Sequence, residues 1–234
     1  RSGADTAYVM PSHQFPMGNV MPLKRRMQLL SWAAGEENRY ILEDDYDSEF
    51  RYRGKPIPAL QGYDRKERVI YLGTFSKSVA PSIRISYMVL PQSLMKSYEE
   101  RGRDFSVTVS KADQKIIEMF IREGHYERHL NRMRALYKSK HDLLLSLLKQ
   151  MTDICQVSGE NAGLHVVLRF VNGLTEKEAI IRAENAGVRV YGISEYDTSG
   201  LEGEKSDRVI LGYASMSEKQ MEEGMRRLQE IWRQ

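Results

Sequence analysis

The stretch YLGTFSKSVAPSIRISYMVLP, residues 71–91, decides the fold. It opens as an apolar, aromatic run, breaks at Gly73, and resumes as a second run from Arg84 to Pro91. Between the runs Lys77 stands in a collar of Thr74, Ser76 and Ser78, with Arg84 seven residues on. Either this is strand, turn and strand with solvated charges, or the lysine is placed for chemistry. A free lysine has a pKa near ~10.4, so only about one in a few thousand is an unprotonated amine at neutral pH. Attack on a carbonyl therefore needs desolvation or a nearby cation. The hydroxyls could hydrogen-bond a phosphate, and the arginine fork matches phosphate geometry.

A second stretch, ILEDDYDSEF at 41–50, ends an apolar run in three acids, Glu43, Asp44 and Asp45. Carboxyl ends of parallel strands are where α/β sheets place ligand-binding groups. A metal site lacks a well-placed histidine here. The other reading is a carboxylate that keeps a heteroaromatic nitrogen protonated, with Tyr46 two residues on donating to a phenolic oxygen. An acidic loop is the plain alternative.

Outward from these stretches the first hundred residues alternate. Strands are expected at 7–11, 39–46, 68–73 and 84–91, and a helix at 22–37 with Leu23, Met27, Leu30 and Ala34 along one face. The near-continuous apolar runs predict an α/β sheet buried on both faces. A Pro-containing loop occupies 51–63. Helices follow at 92–102, 110–124 (stopped by Gly124) and 125–151. Then comes an α+β pattern: strands near 154–157, 164–170, 187–191 and 208–213, and helices at 175–186 and 216–233. The expected organisation is part of a large α/β domain over 1–105, a helical connection over 106–151 and a small α+β domain over 152–234, with the boundary at 140–152 in the long helix.

The chain has 234 residues, 41% hydrophobic and 29% charged, with a net charge of +3. This composition is that of a globular protein of one large or two smaller domains. With no run of like charge and no aromatics interleaved with Lys or Arg, direct nucleic-acid binding by this chain is not expected. The single cysteine, Cys155, precludes an internal disulfide, fits a reducing cytoplasmic setting and reads as an apolar filler. No apolar stretch approaches the ~18 residues of a membrane span, and no signal peptide is visible. The abrupt start, RSGADTAYVMP, is expected to be that of a fragment of a longer polypeptide.

His125 and His129 have metal-ligand spacing on a helix, but without a third ligand they read as partly exposed side chains. His165 alternates with apolar residues and reads as packed in a strand. Leu143, Leu144, Leu147 and Leu148 form a stripe that is core or interface. The glycines of GENAGLHVV (159–167) are not followed by a helix and make no dinucleotide fingerprint.

Taken together, EDDYDSEFRY (43–52) and GTFSKSVAPSIRISYMVLP (73–91) resemble the pyridoxal-phosphate aminotransferase fold, fold type I. With PSHQFPMG (11–18) and EGHYERHLNRMRALY (123–137), they closely resemble the MocR/GabR family of bacterial transcription regulators. In that family an aminotransferase-like domain follows a winged helix-turn-helix DNA-binding domain. The resemblance covers nearly the whole chain. It implies pyridoxal 5'-phosphate as cofactor, with Lys77 as the Schiff-base lysine, Asp44 at the pyridine nitrogen, Tyr46 at the 3-hydroxyl, and Thr74 and Arg84 at the phosphate. A positive ring is the better electron sink.

The resemblance further implies a cytoplasmic homodimer that senses an amino compound through an external aldimine. The released lysine would shift the small domain relative to the large one, and the signal would pass to DNA only through a helix-turn-helix domain outside this chain. Turnover is not expected, so no catalytic residue is assigned; an active aminotransferase is the alternative. The upstream phosphate loop and ring-stacking aromatic of such folds are not found before AYVMP.

Three departures qualify the resemblance. Phe15 replaces the asparagine of an NPTG-like stretch, so its polar contact is lost or moves to His13 or Gln14. Ile210 occupies the place of the arginine that clamps a substrate carboxylate, with Arg208 two residues away on the same strand face. Glu195 stands in the segment YGISEYD (191–197), where the GABA-responsive subgroup has a basic residue. An effector other than GABA is expected, a small amino acid such as alanine or D-alanine, with Glu195 and Arg208 as its contacts.

Overall fold

Apolar runs bounded by Gly, Pro and Asp become strands in a computed structural model that describes residues 3–54, 57–102, 104–106, 108–197 and 206–233. The loop expected over 51–63 lies partly outside the described residues. Two compact units are present: residues 1–14, 19–49 and 55–134 form the first, and residues 15–18, 50–54 and 135–234 the second.

In the first unit, β1 (Thr6–Val9), β2 (Tyr40–Asp45), β3 (Val69–Thr74) and β4 (Ser86–Val89) lie side by side in that order. The first three are parallel and β4 is antiparallel to β3. Helix α1 (Leu23–Ala34) makes the crossover from β1 to β2, the connection parallel strands require. Ala33, Ile41, Leu60 and Val69 form the buried core, with Val9, Leu29, Leu30 and Trp32 packed around it.

The buried face of α1 differs from the expected one. Arg26 and Ala33 are buried, while Leu23, Met27 and Ala34 are exposed. The reason is a hydrogen-bond set that only a guanidinium can make. Arg26 donates to the carbonyl oxygens of Met21 (3.0 Å), Pro58 (2.8 Å) and Pro11 (2.7 Å), so its charge is buried with partners.

Burial of both sheet faces is not observed either. All four residues of β4 are exposed, and β1 alternates between exposed and half-buried. The chain reverses from β3 to β4 through α3 (Phe75–Ser78) and a 3-10 turn at Pro81–Ile83, and this short return lays no crossover helix over the edge. Helices α2 (Leu60–Tyr63), α4 (Gln92–Gly102), α5 (Lys111–Arg122) and α6 (His125–Leu148) complete the series. Ser110 caps α5 by accepting from Asp113 N at 3.0 Å, and Gly124, at φ +70°, ends it. The last three residues expected in α6 form a 3-10 turn, Lys149–Met151.

The second unit has an antiparallel sheet in the order β5 (Cys155–Ser158), β6 (His165–Phe170), β8 (Arg208–Gly212), β7 (Tyr191–Gly192). Alternate residues Val166, Leu168, Phe170, Val209 and Leu211 face α7 (Glu176–Asn185) and α8 (Glu218–Trp232) across one core. Capping boxes start both helices, Thr175 with Glu178 and Ser217 with Gln220. The strand expected over 187–191 shrinks to Tyr191–Gly192. Its first residues instead close α7: Gly187 takes φ +73°, and Val188 N reaches back to Ala183 O at 2.9 Å.

Leu144 and Leu148 are core residues with Leu143 and Leu147 packed against them, so the leucine stripe is core. Cys155 is buried, and burial pushes its thiol up to about 11, which makes it the inert filler expected. Among the described residues no helix is long and apolar enough to cross a membrane.

Candidate functional site

Strand alternation separates the three acids of β2. Glu43 and Asp45 are buried on one side, and Asp44 is half-buried on the other. Glu43 is structural: its carboxylate accepts from Leu60 N (2.7 Å) and Gln61 N (2.9 Å) at the start of α2. Asp45 accepts from Ser48 Oγ and Tyr71 Oη, both at 2.7 Å. Only Asp44 is left on the face that continues from β1, where Tyr8 donates its hydroxyl to Asp44 Oδ2 in a short hydrogen bond. Register explains the meeting, since Tyr8 pairs with Leu42 and Asp44 lies two residues on, on the same face. Partial desolvation of its hydroxyl, then the hydrogen bond and charge of Asp44, push the phenol of the otherwise exposed Tyr8 up to about 12, so it stays a donor.

Just past β2, Tyr46 Oη lies 3.1 Å from His13 Nδ1, and the same nitrogen lies 2.8 Å from Asp47 Oδ2. His13 and Asp47 are both buried. Burial is the main cause that raises the Tyr46 phenol, with the charges of Asp47, Asp44 and Asp45 adding to it. Of the two residues considered as substitutes for the missing asparagine, His13 reaches Tyr46.

At the end of the adjacent strand β3, Thr74 caps α3. Its hydroxyl accepts from Ser76 N (3.1 Å) and donates to Ile85 O (3.2 Å), so it ties both sides of the turn. Lys77 projects from α3 with an exposed side chain. Arg84 follows the 3-10 turn in the left-handed region, at φ 49°. Such a backbone costs a non-glycine residue about 1–3 kcal/mol, and residues held this way cluster at ligand clamps. Gly73 is fixed by contact: a Cβ there would fall 2.3 Å from the Tyr87 ring.

The first unit thus carries Asp44, Tyr46, Thr74, Lys77 and Arg84 at the carboxyl ends of two neighbouring parallel strands. A carboxylate, a phenol, a primary amine and a guanidinium in this placement fit the ring nitrogen, 3-hydroxyl, aldehyde and phosphate of pyridoxal phosphate. Glu195 and Arg208 belong to the second unit. Glu195 is exposed in a 3-10 turn, Ser194–Tyr196, which buried Glu176 holds by accepting from Ile193 N (3.1 Å) and Ser194 N (3.2 Å). Arg208 opens β8, 3.6 Å from Asp207, and Ile210 is buried between β6 and β7. Phe15 packs edge-on against His165 and Tyr196.

Tyr8, Asp47 and Glu49 were not singled out from sequence. The β1–β2 register would have found Tyr8. Burial pushes the Glu49 carboxyl up to about 7, with Asp45 and Asp47 adding to the rise and Arg134 opposing it. The folded form therefore binds the proton more tightly than the unfolded chain. Stability falls as pH rises between the unfolded value near 4.5 and the folded value near 7. Glu49→Gln is expected to remove up to about 3 kcal/mol of that loss, so urea midpoints of the variant and the wild type lie closest at about pH 4 and separate by about pH 8.

The model of the family "Aminotransferase class I and II" matches residues 9–228. The chain is 44% identical over 226 residues to the uncharacterized HTH-type transcriptional regulator YhdI of Bacillus subtilis (strain 168), covering 96% of this chain and 47% of that protein. It is 35% identical over 222 residues to the probable rhizopine catabolism regulatory protein MocR of Rhizobium meliloti, covering 94% and 44%. The chain thus spans about half the length of the curated relatives it matches. Among solved structures, kynurenine aminotransferase of Pyrococcus horikoshii superposes with a TM-score of 0.86 at 27% identity, over 98% of this chain and 56% of that one. Motif, strand-end geometry and relatives agree: the chain belongs to the aminotransferase class I and II family, with its likeness to the MocR-type transcriptional regulators running through nearly all of its length.

Proposed function

We propose that this chain is the effector-binding, aminotransferase-like part of a MocR/GabR-type transcriptional regulator, and that its cofactor is pyridoxal 5'-phosphate. The observation that carries the reading is the placement of Asp44 and Tyr46 at one strand end and Lys77 and Arg84 at the next, in a chain with regulator relatives. When bound, the cofactor supplies an aldehyde on an electron-poor ring that takes up primary amines.

The protein's part is positioning. Asp44 holds a proton at the ring nitrogen, and the Tyr8 hydroxyl fixes the carboxylate that does so. Tyr46 donates to the 3-hydroxyl oxygen. Arg84 takes the phosphate, and Thr74 turns to it from Ile85 O. Lys77 would supply the primary amine that holds the cofactor's aldehyde. An effector that favours one of two conformations shifts their populations, and the shift is passed to DNA through a helix-turn-helix domain outside this chain. Homodimerisation and a cytoplasmic location go with this reading.

Recognition without turnover is supported by Ile210, an apolar residue where an aminotransferase clamps its substrate carboxylate, since catalysis needs the substrate held in a reactive geometry. Glu195 would repel a carboxylate and welcome an ammonium group, which favours a small amino acid such as alanine or D-alanine over GABA, with Arg208 at its carboxylate. Calorimetric titration of the cofactor-loaded full-length protein checks this. Saturable binding of alanine or its D-isomer is expected. Binding of GABA alone would reverse the effector assignment, and conversion of the cofactor to its amine form with return by a 2-oxo acid would make the protein an aminotransferase.

A further inference from the structure

We propose that His13, held by Asp47, is a positioning residue that sets the direction of the Tyr46 hydrogen bond. The inference rests on the reading above that Tyr46 faces the cofactor. His13 and Asp47 stand 34 residues apart in sequence and meet just beyond the ends of β1 and β2. Both are almost wholly buried, at 1% and 2% exposure. Replacing such a pair by apolar residues is often neutral or stabilising, so fold stability alone does not account for it. What the pair does have is a third member, because the imidazole nitrogen that meets Asp47 Oδ2 at 2.8 Å also meets Tyr46 Oη at 3.1 Å.

One nitrogen cannot serve both neighbours in any order. An ionised carboxylate only accepts, so Asp47 selects the tautomer with hydrogen on Nδ1. Tyr46 then meets an N–H and can only accept from it, and its own hydrogen must point elsewhere. The phenol keeps that hydrogen, because burial and the charges of Asp47, Asp44 and Asp45, the acids that face it, all oppose ionisation. Tyr46 is thereby fixed as a donor on the side away from His13. An amide at position 47 would undo this. It can turn its NH2 to the ring and make Nδ1 an acceptor, and Tyr46 would swing its hydrogen back to His13.

The role of Asp47 is therefore electrostatic and directional, and it acts through Tyr46. This separates it from a packing role, which Asp47→Asn, nearly equal in volume, would leave intact.

The test uses full-length protein loaded with pyridoxal phosphate and the pH midpoint of its visible absorbance change. Asp47→Asn and His13→Gln are each expected to move the midpoint by about one pH unit, the scale of one hydrogen bond gained or lost. In a Tyr46→Phe background, neither substitution should move it further. Thermal melting of the unloaded variants checks that each is folded, and His13→Gln serves if Asp47→Asn is not. A loaded protein whose midpoint ignores the substitutions, or shifts equally with and without the Tyr46 hydroxyl, overturns the role of His13 and leaves the site reading standing. A wild-type protein that carries no cofactor on Lys77 overturns both.

Discussion

Lys77→Ala is expected to abolish covalent attachment of the cofactor while leaving the fold unchanged. The side chain is exposed on a four-residue helix whose geometry is set by other groups: the Thr74 cap, the Phe75 N to Ile85 O bond at 2.9 Å, and buried Ser78. Alanine is the strongest helix former, and exposed substitutions away from caps usually change stability by no more than about 0.5 kcal/mol. The functional loss is total, because no other nitrogen nucleophile is placed by this turn. Borohydride reduction of the cofactor-loaded full-length protein, followed by peptide mass mapping, should label Lys77 in the wild type and nothing in the variant. A label on a different lysine of the wild type would end the assignment.

Trp232→Ala is expected to have the largest effect on stability. The indole is fully buried, packs edge-on against Phe170 with ring centroids 5.0 Å apart, and donates Nε1–H to Ala179 O at 3.0 Å. It therefore joins α8, α7 and β6 in a single contact. Truncation of a buried Trp costs about 3–5 kcal/mol, against about 5–15 kcal/mol for a whole domain. The second unit should unfold at a markedly lower urea concentration, followed by circular dichroism. A change below about 1 kcal/mol would mean that the core closes around the gap, and that this packing is not what holds the unit.

These two residues also mark what sequence could and could not disclose. The place of Lys77, on the turn just past a strand end with Thr74 and Arg84 on either side, was legible because all three sit within one short stretch. The strands and capped helices were legible for the same reason, since their signals are nearest-neighbour patterns. The inward side of α1 was not. Arg26 looks like a solvated charge until the carbonyls of Pro11, Met21 and Pro58 converge on it from three segments. Glu43 looked like a ligand-binding acid, and only the fold brings the start of α2 within its reach. The His13–Asp47 pair was hidden by sequence distance, and β7 lost its first residues to the C-terminal turn of α7. Hydrogen bonds between residues far apart in sequence decided the first three cases, and a local helix-closing turn decided the last; no periodicity records either.

The alternation along β2 constrains how this protein can change over generations. Consecutive carboxylates there serve unrelated tasks, one anchoring a helix start and its neighbour facing Tyr8. Deleting or inserting a single residue between Tyr40 and Glu43 would exchange the two, burying Asp44 and turning the Glu43 anchor outward. Variation in this segment is therefore confined to replacement at fixed length, and the spacing from Tyr40 to Tyr46 should prove more resistant to mutation than the identity of most residues within it.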